Sequence, residues 1–202
     1  MQSNNWNNYR IVVLWDSIVE WAGSSDGNGW VGILREKYWS KWIRITNLGI
    51  GWNTSLDILN RLSVLYSYKP DRIILAIGIN DSCIQAKLSQ NPIISIVEFS
   101  SILWEIIHKC GQNGTDIRIV WLTSIDESLV QPFVGSNTGR SYYNHMIEEY
   151  NKVLQQSAID YNYQFLLPYS LLDSSDLIDW IHPNDQGYKK MADFLEEFII
   201  WE

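Results

Sequence analysis

The chain has 202 residues, of which 46% are apolar and 19% are charged, and a chain of this length buries enough surface to fold without disulfides or a structural metal. This composition excludes a disordered, collagen-like or coiled-coil protein. The formal net charge of −8 would repel a phosphate backbone or an anionic membrane surface, so we expect no nucleic-acid partner. There are only two cysteines, Cys83 and Cys110, and no histidine cluster at metal-ligand spacing. We therefore predict neither a disulfide framework nor a zinc site.

The first apolar run, residues 11–15, is too short for the core of a signal peptide or for a membrane span. No repeat, low-complexity tract or linker rich in proline and glycine divides the chain. We therefore expect one domain over residues 1–202, without integral membrane association and with a cytoplasmic location. The sequence does not indicate an oligomeric state.

The order of apolar patterns along the chain indicates the fold class. Runs of branched apolar residues are typical of strands buried on both faces of a parallel sheet, and they cover residues 10–14, 72–77 and 117–122, with weaker runs at 43–46 and 163–167. Helical periodicity covers residues 30–38, 55–66, 93–109, 141–157 and 185–201. Because strands and helices alternate, we predict a three-layer, doubly wound (flavodoxin-like) α/β fold with about five parallel strands. In such sheets, ligands bind at the carboxyl ends of the strands.

Polar residues follow three of the predicted strands. Asp16 and Ser17 follow the first, and in isolation helix capping is the favoured interpretation of this pair. Residues 47–57 contain glycines suited to a tight turn, and Thr54 with Asp57 resembles a capping box. The third strand leads into Gly-Ile-Asn-Asp at residues 78–81, where an Asx-turn is at least as well supported as a functional role.

A fourth segment places His182 three residues after Asp179 and directly before Pro183. This spacing fits a helix-entry turn, and it also fits a carboxylate that orients an imidazole. Together, the four segments supply a serine, an Asp–His pair and candidate oxyanion donors at the ends of strands. A serine hydroxyl needs an imidazole to accept its proton, and the imidazole needs a carboxylate to fix its tautomer. The developing oxyanion needs hydrogen-bond donors.

These four segments, in this order, resemble the sequence blocks of the SGNH, or GDSL-like, hydrolase family. The matching stretches are Trp15–Ile18 for the Gly-Asp-Ser block, Trp52–Asn53 for the second block, Gly78–Asp81 for Gly-x-Asn-Asp and Asp179–His182 for Asp-x-x-His. The matches extend over most of the chain. The resemblance implies an SGNH-type α/β fold.

Site roles also follow from this resemblance. It implies Ser17 as the nucleophile, His182 as the general base and Asp179 as the carboxylate that orients the imidazole. It further implies an oxyanion hole formed by the backbone N–H groups of Ser17 and Trp52 and by the side-chain amide of Asn80. The family's enzymes use no metal or cofactor, so none is expected here.

Tryptophan is unusually frequent, with 11 in the chain. Trp15, Trp52 and Trp180 stand at motif positions where the family has glycine, and Trp21 and Trp121 are further candidates. Because one residue type replaces one other type, we hypothesise that the source organism reads UGA as glycine and that this sequence translates it as tryptophan. The alternative is that the tryptophans are genuine and line an aromatic pocket.

Two functions remain open from the sequence. The resemblance implies a serine hydrolase that cleaves a small-molecule ester of a small or medium acyl group, of the esterase, lysophospholipase or deacetylase type. The alternative is a catalytically impaired domain that binds an acyl or carbohydrate ligand. We expect residues 131–140 to form a surface loop at the rim of the site. His108 and His145 lie in helical stretches, and we interpret each as a surface or hydrogen-bonded structural residue rather than a catalytic one.

Overall fold

The computed structural model describes residues 8–14, 16–85, 91–112, 114–120, 122–127, 139–166 and 171–200. Its strands are β1 (Tyr9–Leu14), β2 (Ile43–Asn47), β3 (Arg72–Leu75), β4 (Ile84–Gln85), β5 (Asp116–Val120), β6 (Arg140–Ser141) and β7 (Gln164–Leu166). Five of them form one sheet in the order β2-β1-β3-β5-β7, in which every neighbouring pair is parallel. The other two, β4 and β6, form a separate antiparallel ribbon.

Helices cover the two faces of the sheet. They are α1 (Ser17–Glu20), α2 (Gly29–Trp39), α3 (Ser55–Arg61), α4 (Leu65–Tyr68), α5 (Ile96–Cys110), α6 (Asn144–Asp160) and α7 (Asp185–Ile200). One layer contains α2 packed on α7, and the other contains α5 packed between α3 and α6. This arrangement confirms the predicted three-layer, doubly wound α/β fold with five parallel strands.

The order of the strands places a crevice between β1 and β3. The chain passes from β1 outward to β2 and then returns across β1 to β3, so the direction of winding reverses there. Ligands bind outside the carboxyl ends of the strands at such a switch point. Central side chains of the three inner strands, Ile11, Ile74 and Ile119, are completely buried, which explains why these strands are near-continuously apolar in sequence.

The first helix after β2 is shorter than the sequence pattern predicts. The predicted helix over residues 55–66 is interrupted, because Leu62–Val64 forms a 3₁₀ turn between α3 and α4. The chain then leaves the helix at Lys69, whose φ of 47° is left-handed. The predicted capping box at Thr54 and Asp57 is present and fixes the start of α3.

Two long helices, α5 and α6, begin three residues later than their apolar periodicity predicts. α5 begins at Ile96 rather than residue 93, because Ser95 and Glu98 form a capping box. The backbone N–H of Ile93 instead donates to the carbonyl of Cys83. α6 begins at Asn144 rather than residue 141, because Ser141 pairs with β4 in the ribbon.

The strands also end earlier than the apolar runs do. β3 ends at Leu75, although Ala76 and Ile77 are buried as well. The chain turns away from the sheet ladder toward Gly78, whose φ of 123° is accessible mainly to glycine. β5 likewise ends at Val120. The polar residues that follow β3 are therefore displaced from the sheet into the crevice.

Two buried arginines fix the last helix to the sheet. Arg72 and Arg118 share the carboxylate of Asp116 in ion pairs. Their guanidinium groups also donate to the final carbonyls of α7, Arg72 to Ile199 at 2.7 Å and Arg118 to Phe198. A helix of 16 residues spans about 24 Å, so the other end of α7 lies at the carboxyl edge of the sheet. None of the helices in the described ranges is both long and apolar enough to cross a membrane.

Candidate active site

Ser17 stands at the turn between β1 and α1. Asp16 caps this helix, because its carboxylate accepts a 3.0 Å hydrogen bond from the backbone N–H of Ile18. Asp16 therefore makes the helix-capping contact that the sequence favoured for this pair. Ser17 is the first helical residue, and the first N–H groups of a helix have no acceptor within the helix. Its hydroxyl and its backbone N–H are both placed at the carboxyl edge of the sheet.

A continuous line of hydrogen bonds joins Ser17, His182 and Asp179. The Nε2 atom of His182 lies 2.9 Å from the Ser17 Oγ, and its Nδ1 atom lies 2.7 Å from the Asp179 Oδ2. The other carboxylate oxygen, Asp179 Oδ1, accepts the backbone N–H groups of Ile181 and His182, both at 2.8 Å. The structure thus brings together the serine, imidazole and carboxylate predicted from the sequence.

The environment of Asp179 keeps it ionised. Partial burial acts to raise the pKa of its carboxyl group, but the hydrogen bonds from the His182 ring and from two backbone N–H groups outweigh it. The pKa of Asp179 therefore lies below its ordinary value. An ionised carboxylate on Nδ1 favours the tautomer in which Nε2 is free to accept a proton.

The turn after α1 packs directly against the segment that carries His182. A β-carbon at Gly23, which has φ of 93°, would lie 2.5 Å from the Pro183 carbonyl and 3.4 Å from the His182 Cβ. Tyr188, in the first turns of α7, donates a 2.6 Å hydrogen bond to the carbonyl of Ala22. Because only glycine permits this approach, residue 23 sets the distance between the two halves of the Ser–His pair.

The loop after β2 lies against the other side of α1. A β-carbon at Gly49 would lie 2.5 Å from the backbone nitrogen of Glu20, and the Gly51 N–H donates to the Glu20 carboxylate. A β-carbon at Gly51 would lie 3.9 Å from the Ser17 Cβ. The structure therefore places the turn that contains Trp52 beside Ser17.

Asn80, from the loop after β3, reaches the same place. Its Nδ2 atom donates to the Asn53 carbonyl at 3.0 Å and toward the Asp16 carboxylate at 3.3 Å. Its Oδ1 atom accepts a 2.9 Å hydrogen bond from the hydroxyl of Tyr142. The side chain is buried. The amide predicted as an oxyanion donor thus contacts the residue preceding Ser17 and the residue following Trp52.

Asp81 joins the loop after β3 to the start of α3. Its fully buried carboxylate accepts the backbone N–H of Ser55 at 3.0 Å and the Ser55 hydroxyl. Burial raises the pKa of Asp81 to about 6. Burial likewise raises the pKa of Asp16 to about 7. Two acidic groups with raised pKa therefore lie on the segments around the site, Asp16 in contact with Asn80 and Asp81 in contact with Ser55, and neither belongs to the Ser–His–Asp line.

The backbone at several tryptophans has the conformation that glycine prefers. Trp21 caps α1 with φ of 95°, and Trp52 has φ of 65°. Trp42, which the sequence motifs did not single out, has φ of 64°. Bulky residues rarely adopt positive φ. Among the described residues, Trp180 does not have a positive φ, and the other two candidate positions, 15 and 121, lie outside the described residues.

Sequence reasoning missed Tyr142 and gave Arg140 no role of its own. Arg140 is the last residue of the predicted rim loop at 131–140, of which residues 131–138 lie outside the described residues, and Tyr142 follows that loop. The Arg140 guanidinium lies 4.7 Å from the centre of the Trp52 ring. The β4–β6 ribbon brings these residues to the site, and strands of two residues are too short to leave a periodic pattern in the sequence.

The remaining reactive side chains lie outside the Ser–His–Asp line, although Cys83 forms a hydrogen bond with the Tyr142 hydroxyl. Cys83 and Cys110 are buried free thiols, and burial raises their pKa values to about 11 and about 12. His108 and His145 are exposed on α5 and α6, in agreement with the sequence interpretation. Within the part of the chain that the structure describes, no group of three or more His, Cys, Asp or Glu side chains could hold a metal ion.

A cavity of about 670 Å³ lies at the opposite edge of the sheet. Arg10, Asp71 and Thr115, which stand at or just before the amino ends of β1, β3 and β5, contribute to its lining. None of the residues joined to Ser17 lines it. Because α/β sheets bind ligands at the carboxyl ends of their strands, this cavity is separate from the candidate active site.

Known proteins are similar to this chain in sequence or in fold. A multidomain esterase from Ruminococcus flavefaciens is 30% identical over 163 residues, which are 77% of this chain and 19% of that protein. The chain therefore spans about a fifth of the length of this curated relative.

Two crystal structures are similar in fold. An acetylxylan esterase from Geobacillus stearothermophilus superimposes with a TM-score of 0.75 at 19% identity, with 97% of this chain and 96% of that chain covered. An α/β hydrolase from the metagenome of Lake Arreo, Spain, gives a TM-score of 0.74 at 19% identity, with 93% and 94% covered. The pattern of the GDSL-like lipase/acylhydrolase family matches residues 15–190. The chain therefore belongs to this family of ester-hydrolysing enzymes.

Proposed function

We propose that this protein is a serine esterase that cleaves carboxylic esters of small or medium acyl groups through an acyl-enzyme. The observation that carries the proposal is the hydrogen-bonded line from the Ser17 hydroxyl through the His182 ring to the Asp179 carboxylate. Nucleophile and base lie within the distance needed for proton transfer, and a third group orients the base.

In the first step, the Ser17 Oγ attacks the ester carbonyl carbon while His182 Nε2 takes the hydroxyl proton. The carbonyl electron pair moves to the oxygen, which becomes an oxyanion. The ionised Asp179 stabilises the imidazolium formed beside it. The imidazolium then gives its proton to the departing alcohol as the C–O bond breaks, which leaves the acyl group on Ser17.

Three donors would stabilise the oxyanion: the backbone N–H groups of Ser17 and Trp52, and the Asn80 Nδ2. Of the two Asn80 Nδ2 contacts, the one with Asp16 is the longer, at 3.3 Å. The hydrogen in this contact is the one that would turn to the oxyanion. Each such donor is worth about 2.7–4 kcal/mol of transition-state stabilisation.

In the second step, a water molecule enters the position vacated by the alcohol. His182 removes a proton from this water as its oxygen attacks the acyl carbon, and the same three donors again bind the oxyanion. Collapse of this intermediate returns the proton to the Ser17 oxygen and releases the carboxylic acid. All proton transfers therefore pass through one imidazole.

An acetyl group carried by a carbohydrate is the substrate we would test first. The similar structure from Geobacillus stearothermophilus is an acetylxylan esterase, and the relative from Ruminococcus flavefaciens is an esterase. The exposed Trp52 ring and the neighbouring Arg140 could stack on and donate to a sugar at the mouth of the site.

The test is hydrolysis of p-nitrophenyl acetate and acetylated xylooligosaccharide by two proteins. One has tryptophan at positions 15, 52 and 180, and the other is a variant with glycine at these positions. Ser17→Ala is expected to lower kcat by a factor on the order of 10⁶, and Asp179→Asn by about 10⁴. Ser63→Ala, at an exposed serine of the 3₁₀ turn, serves as the control. Unchanged hydrolysis in Ser17→Ala would contradict the proposal.

A second candidate function is ligand binding without turnover. The left-handed φ of Trp52 favours it, because a bulky residue is strained in this conformation at a position whose backbone N–H is needed for the oxyanion. In that case the printed chain would bind an acetylated oligosaccharide saturably, hydrolyse none of it and fail to react with a fluorophosphonate probe. Covalent labelling that Ser17→Ala abolishes would exclude this candidate.

A further inference from the structure

The orientation of the Asn80 side chain is set by three neighbours. The Asn53 carbonyl and the Asp16 carboxylate lie on the Nδ2 side at 3.0 and 3.3 Å. The Tyr142 hydroxyl lies on the Oδ1 side at 2.9 Å. An asparagine amide has two donors on one end and an acceptor on the other, so these partners decide which end faces the nucleophile.

Rotation of the amide by 180° would reverse every one of these contacts. The Asn80 oxygen would then face the Asn53 carbonyl, which can only accept, and the Asp16 carboxylate. At the site of the oxyanion it would present lone pairs in place of hydrogens. Among the three partners, the Tyr142 hydroxyl is the one that binds the Asn80 oxygen and so stabilises the orientation in which Nδ2 faces the oxyanion site.

Tyr142 is itself held as a donor. Its ring and hydroxyl are buried, with 2% of the residue exposed. The Arg140 guanidinium forms a hydrogen bond with its hydroxyl, and a guanidinium has no acceptor atoms. The Cys83 thiol also forms a hydrogen bond with this hydroxyl, and because burial raises the pKa of Cys83 to about 11, the thiol keeps its own hydrogen to donate. The hydroxyl hydrogen can therefore go to the Asn80 Oδ1. Burial also raises the pKa of Tyr142 well above its ordinary value, so the donor is not lost at any pH at which esterases are assayed.

The β4–β6 ribbon explains how Tyr142 reaches Asn80. Ile84 pairs with Ser141, and Gln85 pairs with Arg140. Ile84 follows Asn80 by four residues, and Tyr142 directly follows the ribbon. This short antiparallel pair therefore draws the segment before α6 across the crevice to the loop after β3.

We propose that Tyr142 is a positioning residue for ester hydrolysis, whose hydroxyl holds the Asn80 amide with Nδ2 toward the reacting carbonyl oxygen. Arg140 orders this hydroxyl in turn. The inference rests on the proposed function, because it concerns the oxyanion formed at Ser17. Tyr142 does not touch the substrate, so its effect passes entirely through Asn80.

The test is a mutant cycle on p-nitrophenyl acetate hydrolysis with Tyr142→Phe, Asn80→Ala and the double variant. Loss of one oxyanion donor lowers kcat by about 10²–10³-fold, which is the expected result for Asn80→Ala. Tyr142→Phe keeps the ring and removes the hydroxyl, and we expect kcat to fall about 10-fold or more with KM within about two-fold of its original value. In the double variant, kcat should equal that of Asn80→Ala, because residues that act through one group are not additive.

Tyr143→Phe is the matched control, since Tyr143 is the neighbouring half-buried tyrosine, with its ring near His145, and should keep full activity. A Tyr142→Phe protein with kcat within two-fold of the original, or a further full loss of kcat when it is added to Asn80→Ala, would overturn the inference. Ser17→Ala measured alongside separates the two levels: activity that survives it refutes the proposed function itself. A circular dichroism melt of each variant excludes unfolding as the cause.

Discussion

The left-handed backbone at Trp42 predicts that glycine at this position stabilises the protein. An L-residue with φ of 64° pays about 1–2 kcal/mol relative to glycine. Glycine gives back about 0.4–1 kcal/mol through the entropy of the unfolded chain. The Trp42 side chain is 60% exposed, and Arg44 keeps its closer stack on Trp39, at 3.7 Å against 5.7 Å for Trp42. We therefore expect Trp42→Gly to raise stability by about 1 kcal/mol and Tm by about 2–4 °C.

Trp104→Gly is the matched control. Trp104 is exposed to a similar degree, 54%, but lies in the interior of α5 with a helical backbone. Glycine in a helix interior costs up to about 1 kcal/mol, so the same substitution should lower Tm there. Both melts are followed by circular dichroism, because the substitutions remove a fluorophore. If Trp42→Gly lowers Tm as much as Trp104→Gly does, the conclusion that residue 42 needs glycine is refuted.

Three further predictions concern buried carboxyls, close backbone contacts and the gene. Burial raises the pKa of Asp16 from 3.8 to about 7, so the protonated carboxyl adds to the free energy of unfolding by an amount on the order of 4 kcal/mol, which is fully present below pH 4 and is lost as the pH rises to 7. In thermal melts, Asp16→Asn should therefore reduce the fall in Tm between pH 4 and pH 7. An unchanged dependence of Tm on pH would refute the raised pKa. Gly49→Ala should cost about 1–3 kcal/mol in urea unfolding, because its β-carbon would lie 2.5 Å from the Glu20 backbone nitrogen. A loss no larger than that of Gly51→Ala, whose β-carbon would approach only the flexible end of the Glu20 side chain, would count against the contact. Sequencing the gene should find UGA at the codon for Trp52, and UGG there would end the recoding hypothesis at that position.

The fold could be predicted from the sequence because burial of the strands leaves a direct pattern in the order of apolar residues. The three inner strands are buried on both faces, so they appear as continuous apolar runs. Helix ends were less accessible: Ile93 continues the apolar periodicity of α5, yet its backbone bonds to Cys83, and the helix begins after Ser95. Apolar periodicity reports which residues are buried, while capping groups decide where the helix starts.

The residues of the candidate site also differed in how far the sequence could predict them. Asp179 and His182 are three residues apart and meet in one turn, so their spacing made the pairing one of two interpretations, beside a helix-entry turn. Ser17 could be grouped with them because it follows a predicted strand, and the resemblance to a family then implied its role as nucleophile. Tyr142 left no signal, because its contact with Asn80 depends on a ribbon with two residues in each strand.

The bond between Asp81 and Ser55 has a consequence for protein engineering. The Asp81 carboxylate accepts hydrogen bonds from both donors of Ser55. The loop after β3, which carries the Asn80 amide, and the turn before α3 are therefore held together as one rigid unit. A library that randomises side chains outside these two segments should therefore change which alcohols are accepted while the position of the Asn80 loop stays constant, and selectivity and rate could be optimised in separate rounds.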